Sequence, residues 1–166
     1  MDPIQIRTLH SSDAQALLEF EIDNREWFES HIDPRPSEFY SLQGVAEHID
    51  AYLTGYALGT WHSLVVLDAR GKIIGRANLK NIDSQLHSAE VGYRVARSAC
   101  GQGLATQALR RLIEEARERW RLARLVAYVY PENAGSRVVL ERCGFVLEQA
   151  GSAGGGAVEG RYGLVV

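Results

Sequence analysis

Two cysteines, Cys100 and Cys143, are all that the 166 residues hold, and no third one offers a metal-ligand spacing. A disulfide scaffold or a zinc module is thereby removed as the basis of the fold, and the pair reads as reduced thiols of a cytosolic protein. The histidines His10, His31, His48, His62 and His87 are scattered, so no metal is expected. Neither sign of charge dominates: 18 basic and 21 acidic residues leave a formal charge of −3, which lacks the footprint of a nucleic-acid binder. No apolar run is long enough to span a bilayer, and Met1, Asp2, Pro3, Ile4 and Gln5 lack a basic-then-apolar signal pattern. The expectation is a cytoplasmic protein without nucleic-acid or membrane partners, a monomer or homodimer. With 46% hydrophobic and 23% charged residues, one domain over 1–166 can bury its own core.

What is present alternates between strand and helix patterns. Ile4 and Ile6 open as a strand, and Ser11, Ser12 and Asp13 are N-cap types ahead of Ala14, Leu17, Leu18 and Ile22 at helical spacing. After the break Asp33-Pro34-Arg35-Pro36, the pattern predicts a helix from about Ser37 to Leu58, its inner face Phe39, Leu42, Val45, Ile49 and Leu53. Ser63 to Leu67 and Ile73 to Ile82 read as a hairpin around Asp68-Ala69-Arg70-Gly71, and Glu90 to Val95 as a third strand. The surest helix follows Gly101-Gln102-Gly103. Leu104, Ala105, Ala108, Leu109, Leu112, Ile113, Ala116 and Trp120 form its apolar stripe, with Arg111, Glu115 and Arg119 on the other face. Leu125 to Val129, Phe145 to Leu147 and Tyr162 to Val166 are further strands, and Ser136 to Cys143 a short helix stopped by Gly144. Residues 151–157 read as a flexible glycine-rich loop. The order implies a mixed α/β or α+β domain.

A strand, a glycine-bearing loop and a long helix in that order suit an anion. The first N–H groups of a helix lack internal partners, the dipole makes that end partly positive, and glycine lets phosphate oxygens approach the backbone. Gly103 as a plain turn residue is the competing reading. A Walker loop would need Gly-Lys-Ser/Thr where Gly103-Leu104-Ala105 stands, and a dinucleotide fingerprint a small residue at Thr106 and an early βαβ unit.

Taken together, Ile74-Gly75-Arg76-Ala77-Asn78-Leu79, Glu90-Val91-Gly92-Tyr93-Arg94-Val95, Gly101-Gln102-Gly103-Leu104-Ala105-Thr106-Gln107-Ala108-Leu109, Pro131-Glu132-Asn133-Ala134-Gly135-Ser136 and Leu140-Glu141-Arg142-Cys143-Gly144-Phe145 resemble the GNAT acetyltransferases, the ribosomal-protein RimJ/RimL type in particular. The resemblance spans Ile73 to Phe145 and is loose over the first 70 residues. It implies a mixed sheet splayed between two central strands, with acetyl-coenzyme A in the cleft and a primary amine as acceptor, a ribosomal or other protein N-terminus among the options. Amides of Gly101, Gly103 and Ala105, with neighbours Gln102, Leu104 and Thr106, would hold the pyrophosphate. The strand of Val91, Tyr93 and Val95 would pair with the pantetheine arm, Asn133 would contact it, and Ser136 would lie near the sulfur. The sequence departs from the family where Cys100 replaces an Arg or Gln, where Leu140 replaces a tyrosine acid, and in the glycine-rich stretch.

An amine attacks only when neutral, and reference values of about 8 for an α-amine and about 10.4 for lysine call for a base. Glu90 stands where relatives place it, its other reading being a solvated strand-end charge. Ser136 is the candidate donor toward the departing thiolate, or else a helix N-cap; Tyr93, Tyr128 and Tyr130 are reserves. Cys143, in an apolar helical setting, reads as an inert thiol rather than a ping-pong nucleophile. Trp27, Phe28 and Trp61 are assigned to the core ahead of the cleft. Acetylation of a small amine, and a non-catalytic coenzyme A-binding module, are the alternatives to a protein acceptor.

Overall fold

The computed structural model describes residues 3–30, 32–152 and 159–166. His31 and most of the glycine-rich stretch, residues 153–157, lie outside the described residues. Among the described residues seven strands form one mixed sheet in the order β1-β2-β3-β4-β5-β7-β6. β1 (Gln5–Thr8), β2 (His62–Leu67), β3 (Ile73–Asp83) and β4 (Ser88–Val95) pair antiparallel with one another in succession. β5 (Arg124–Val129), β6 (Val146–Gln149) and β7 (Gly160–Val165) make the second antiparallel half.

The two halves meet at a parallel β4–β5 contact that is only three residues long, from Ser88 with Arg124 to Glu90 with Val126. Beyond Glu90 the β4–β5 pairing stops, so among the described residues the β4 edge from Val91 to Val95 has no strand partner on that side. That fork is the feature that positions the site.

Two apolar clusters flank the sheet. On one face α4 (Leu104–Glu118) buries Ala108, Leu109, Leu112, Ile113 and Ala116 against Leu64, Val66, Ala77, Leu79, Val91 and Leu125. Burying each such Leu or Ile is worth about 1.5–3 kcal/mol, and this stripe is the one expected from periodicity. α5 (Ala134–Arg142) joins that side through Leu140. On the other face α1 (Ala14–Asp23), α2 (Arg25–Glu29) and α3 (Leu42–Ala57) cover Val65, Leu67 and Ile73 with Leu17, Phe20, Phe28, Val45 and Ile49.

The N-terminal third departs most from its sequence pattern. The helix expected from Ser37 is a single 3₁₀ turn, Ser37–Phe39, followed by α3. Extended Ser41 separates the two, its hydroxyl accepting the Gly44 N–H at 2.9 Å. The sharp entry needs glycine at position 44, where a Cβ would fall 2.2 Å from the Glu38 carbonyl oxygen. Ile22 and Leu42, expected inward, are exposed, and Glu21 takes an inner place on α1 instead. α2 escaped the sequence pattern altogether. Elsewhere α4 ends before Trp120, where Arg121 turns left-handed at φ +53°. Among the described residues no helix is long and apolar enough to cross a membrane.

Candidate active site

The fork opens into two connected hollows. One, of ≈ 320 Å³, is lined by Glu90 to Arg94 of β4, by Tyr128 and Tyr130, and by Asn133 and Ser136. The other, of ≈ 540 Å³, runs along Tyr93 to Val95, Cys100, Gly101, and Gly103 to Thr106 to the α5 residues Gly135 and Ser136. Tyr93, Arg94, Asn133 and Ser136 border both, so they mark the junction.

At the far end of the larger hollow the chain offers backbone. Gly101 and Gly103 both adopt φ +77°, a conformation that costs an L side chain roughly 1–2 kcal/mol. A Cβ on either would meet nothing within 4 Å, so conformation, not crowding, calls for glycine there. Gly103 is the N-cap of α4 and offers no capping side chain, which leaves the first-turn amides of Leu104, Ala105 and Thr106 without internal partners. Gln102 differs from its neighbours: its side-chain amide turns back to the Ser98 carbonyl at 3.5 Å, and it does not line the hollow. Cys100 is exposed, with its sulfur 3.4 Å from the Ala96 carbonyl.

At the junction the Tyr93 hydroxyl lies 2.8 Å from Ser136 Oγ and 3.2 Å from the Ser136 carbonyl. Burial pushes the Tyr93 phenol up to about 12, outweighing the Ser136 hydrogen bond that lowers it. The phenol is therefore a proton-holding donor throughout the neutral range. The Ser136 carbonyl only accepts, so the single phenol hydrogen is shared between it and Ser136 Oγ; when it goes to Oγ, the nearer acceptor, the serine hydrogen is released to point into the cleft. Ser136 is not the helix cap: Asn133 is, its Oδ1 accepting the Ser136 N–H at 3.1 Å. Leu140, at the position where the family resemblance implied a tyrosine acid, is fully buried in the α4 cluster. Tyr93 reaches the same neighbourhood from the opposite wall.

Strand alternation decides which face each β4 side chain serves. Val91 packs under α4, whereas Arg94 reaches Glu21 of α1 at 3.0 Å. Glu90, in phase with Arg94, therefore lies on the α1 face, and Tyr93, in phase with Val91, on the α4 face. Both line the ≈ 320 Å³ hollow because the missing β4–β5 pairing opens the sheet between them. Groups from opposite sides of the sheet can thus meet within the gap.

Sequence reasoning missed a buried ionic group on the α1 face. Glu21, 1% exposed, holds Arg76 at 2.9 Å and Arg94 at 3.0 Å. A signal existed: Glu21 follows Leu17 by four on the inner stripe of α1, and Arg76 and Arg94 stand directly opposite each other in β3 and β4. Like charges so placed need a shared counter-ion. His48 Nε2 lies 2.9 Å from an Arg76 guanidinium nitrogen and can only accept there. Burial, then the charges of Arg76, Arg35 and Arg94, lowers His48 to about 2.

Cys143 is partly buried, 3.9 Å from the Thr106 carbonyl, and burial raises its thiol above the usual range, as suits an unreactive sulfur. Phe28 is in the core, but Trp27 lines the larger hollow with it, stacked on Arg97 at 5.4 Å. Trp61 packs on Tyr52 at 4.7 Å between ring centroids. Among the described residues no three His, Cys, Asp or Glu side chains gather as metal ligands would.

Comparison with known proteins agrees with this geometry. The family model for the acetyltransferase (GNAT) domain matches residues 4–146. The chain belongs to the GNAT acetyltransferase family and is an acetyl-coenzyme A-dependent N-acetyltransferase. It is 30% identical over 144 residues to the probable N-acetyltransferase YjcK of Bacillus subtilis, covering 86% of this chain and 80% of that one. It is 26% identical over 156 residues to the ribosomal protein uS5-alanine N-acetyltransferase of Escherichia coli, covering 89% and 77%. Among solved structures, the ribosomal-protein-S5-alanine acetyltransferase of Vibrio fischeri superposes with a TM-score of 0.90 at 26% identity, over 99% of this chain and 94% of that one.

Proposed function

We propose that this enzyme moves the acetyl group of acetyl-coenzyme A to a primary amine, a protein N-terminal α-amine in particular, by direct attack in a ternary complex. The observation that carries this reading is the fork past Glu90, with open glycine-loop amides at one end and the Tyr93–Ser136 pair at the other. The amides of Gly101, Gly103 and Ala105, with those of Leu104 and Thr106, bind the pyrophosphate. Gln102 supplies the turn between the two left-handed glycines. The free β4 edge from Val91 through Tyr93 to Val95 offers the pantetheine amides the hydrogen bonds that a further strand would make. Asn133 fixes the start of α5 and thereby the position of Ser136.

Glu90, on the acceptor face, takes the proton of the attacking amine directly or through water. Ser136, backed by Tyr93, donates a hydrogen bond to the sulfur as it leaves. With Tyr93 near 12 and a thiol reference near 8.5, full proton transfer from the phenol would run uphill, so the pair acts by hydrogen bonding. Holding both reactants in the gap supplies much of the rate, since orientation is worth about 7–11 kcal/mol in favourable cases. The acceptor assignment draws on the uS5-alanine acetyltransferase similarity.

The test is calorimetry with acetyl-coenzyme A followed by thiol release over a panel of N-terminal peptides, lysine peptides, free amino acids, polyamines and aminoglycosides. Turnover with N-terminal peptides above all others is expected. Turnover confined to polyamines or aminoglycosides would replace the acceptor class.

A further inference from the structure

The α1 side of the smaller hollow holds more positive charge than the protein neutralises. Arg35, Arg76 and Arg94 all line it. Among the described residues their one shared partner is Glu21, with Arg35 at 3.8 Å, Arg76 at 2.9 Å and Arg94 at 3.0 Å. Three guanidinium groups thus gather on one carboxylate. The remaining neighbours add no counter-charge: His48 accepts from Arg76 as a neutral ring, and the guanidinium groups lie over Phe39, Tyr52 and Phe28. Of the other charged residues on that hollow, Lys80 offsets one of Glu90 and Glu159, so with Glu21 included the four cations exceed the three carboxylates by one.

Hydrogen bonding is also incomplete. The Nε–H groups of Arg76 and Arg35 are buried with no partner among the described residues, and the Arg76 side chain is only 2% exposed. A buried cation is costly unless it is paired and fully hydrogen-bonded, and an arriving anion would supply the partners that one shared carboxylate leaves short. Arg94 and Arg35, 19% and 23% exposed, remain within reach from the hollow. Desolvation, with repulsion from Arg35 and Arg76, brings Arg94 down to about 10 despite Glu21.

We propose that Arg35, Arg76 and Arg94 form a subsite for a carboxylate carried by the acceptor, so that the enzyme selects peptide N-termini with an acidic side chain close behind the reacting amine. The planar guanidinium forks suit a carboxylate in two-point contact. This rests on the acetyl-transfer reading above and adds to it a substrate class.

The test compares kcat/KM by thiol release for peptides differing only in Glu or Gln at their second or third residue, using the wild type, Arg35→Gln and Arg35→Glu. An amino acid and its amide form a further pair, which separates an acidic side chain from a free α-carboxylate as the source. Coenzyme A affinity is measured calorimetrically on every variant. The expected result is about a tenfold preference for Glu in the wild type, the scale of one charge-assisted hydrogen bond. It should shrink to near unity in Arg35→Gln and invert in Arg35→Glu, with coenzyme A affinity unchanged. Equal rates for Glu and Gln peptides, or a ratio that ignores the Arg35 variants, overturn the subsite while leaving acetyl transfer standing. A preference confined to the amino acid over its amide overturns the peptide side chain as its source. Absence of both coenzyme A binding and turnover would sink the underlying reading. If coenzyme A binds but no peptide reacts, thermal shift on the loaded protein decides. Glutarate stabilising the wild type and not Arg35→Glu supports the subsite, and glutarate matching glutaramide overturns it.

Discussion

The two ends of the cleft are built from different materials. At the glycine loop the chain presents main-chain amides, and Gly101 and Gly103 are there for their left-handed conformation. At the α1 face it presents long charged side chains drawn from positions 21, 35, 76 and 94. The first end is local in sequence and uses main-chain groups; the second is assembled from distant elements and uses the side chain of each. A backbone site fits a group common to every turnover, and a side-chain site can change with the acceptor.

The largest effect should come from striking the backbone end. Gly103→Pro removes an amide and demands a negative φ where the residue sits at +77°. Coenzyme A affinity should fall about 100-fold or more by calorimetry, with the helical circular dichroism retained. Unchanged affinity would mean that the loop amides are not the anion site.

At the junction, Ser136→Ala should lower kcat by about 10² with little change in coenzyme A affinity, and Tyr93→Phe by less. An equal loss in both variants would show the hydroxyls acting as one unit.

Acid should reveal a third place, remote from both ends. The Trp120 indole N–H donates to His62 Nδ1 at 2.9 Å, so the neutral ring has its hydrogen on Nε2, toward Thr8 at 3.0 Å. Burial, chiefly, lowers His62 to about 4. Because this folded value lies below the unfolded one, the stability it confers is complete above about pH 6.5 and is lost as pH falls toward 4. At pH 5 the loss should be about 2 kcal/mol, roughly thirtyfold in the folding equilibrium. Trp120→Phe should alter that slope, and chemical denaturation across pH 4–8 checks it.

Glu90→Gln should have the smallest effect. An α-amine with a reference value of about 8 is already about one-tenth neutral at pH 7, so the loss there is about tenfold and vanishes above pH 8. A loss that persists at pH 9 would assign Glu90 to binding rather than proton removal.

These differences also explain what was legible beforehand. The glycine loop and α4 could be read because a glycine-bearing turn and an eight-position apolar stripe are written close together in the sequence. Glu90, Tyr93, Asn133 and Ser136 were named from motifs, and the structure places all four on the same hollow. The Tyr93–Ser136 contact could not be read, since nothing in either segment states that β4 and α5 face each other across a gap. Glu21 was hidden for the opposite reason: a carboxylate within a helix reads as solvent-facing until Arg76 and Arg94, more than fifty positions away, are brought over it. The break at Ser41 likewise depends on Gly44 leaving room for the Glu38 carbonyl, a three-dimensional fact with no periodic trace.

The three-residue seam between β4 and β5 also has a mechanical consequence. Two antiparallel halves sutured so briefly should breathe against each other, with α4 as the common splint. A guest lying in the slit adds stitches along its length, so saturation should slow amide hydrogen exchange on residues 91–95 together with 127–129 and make both halves melt as one.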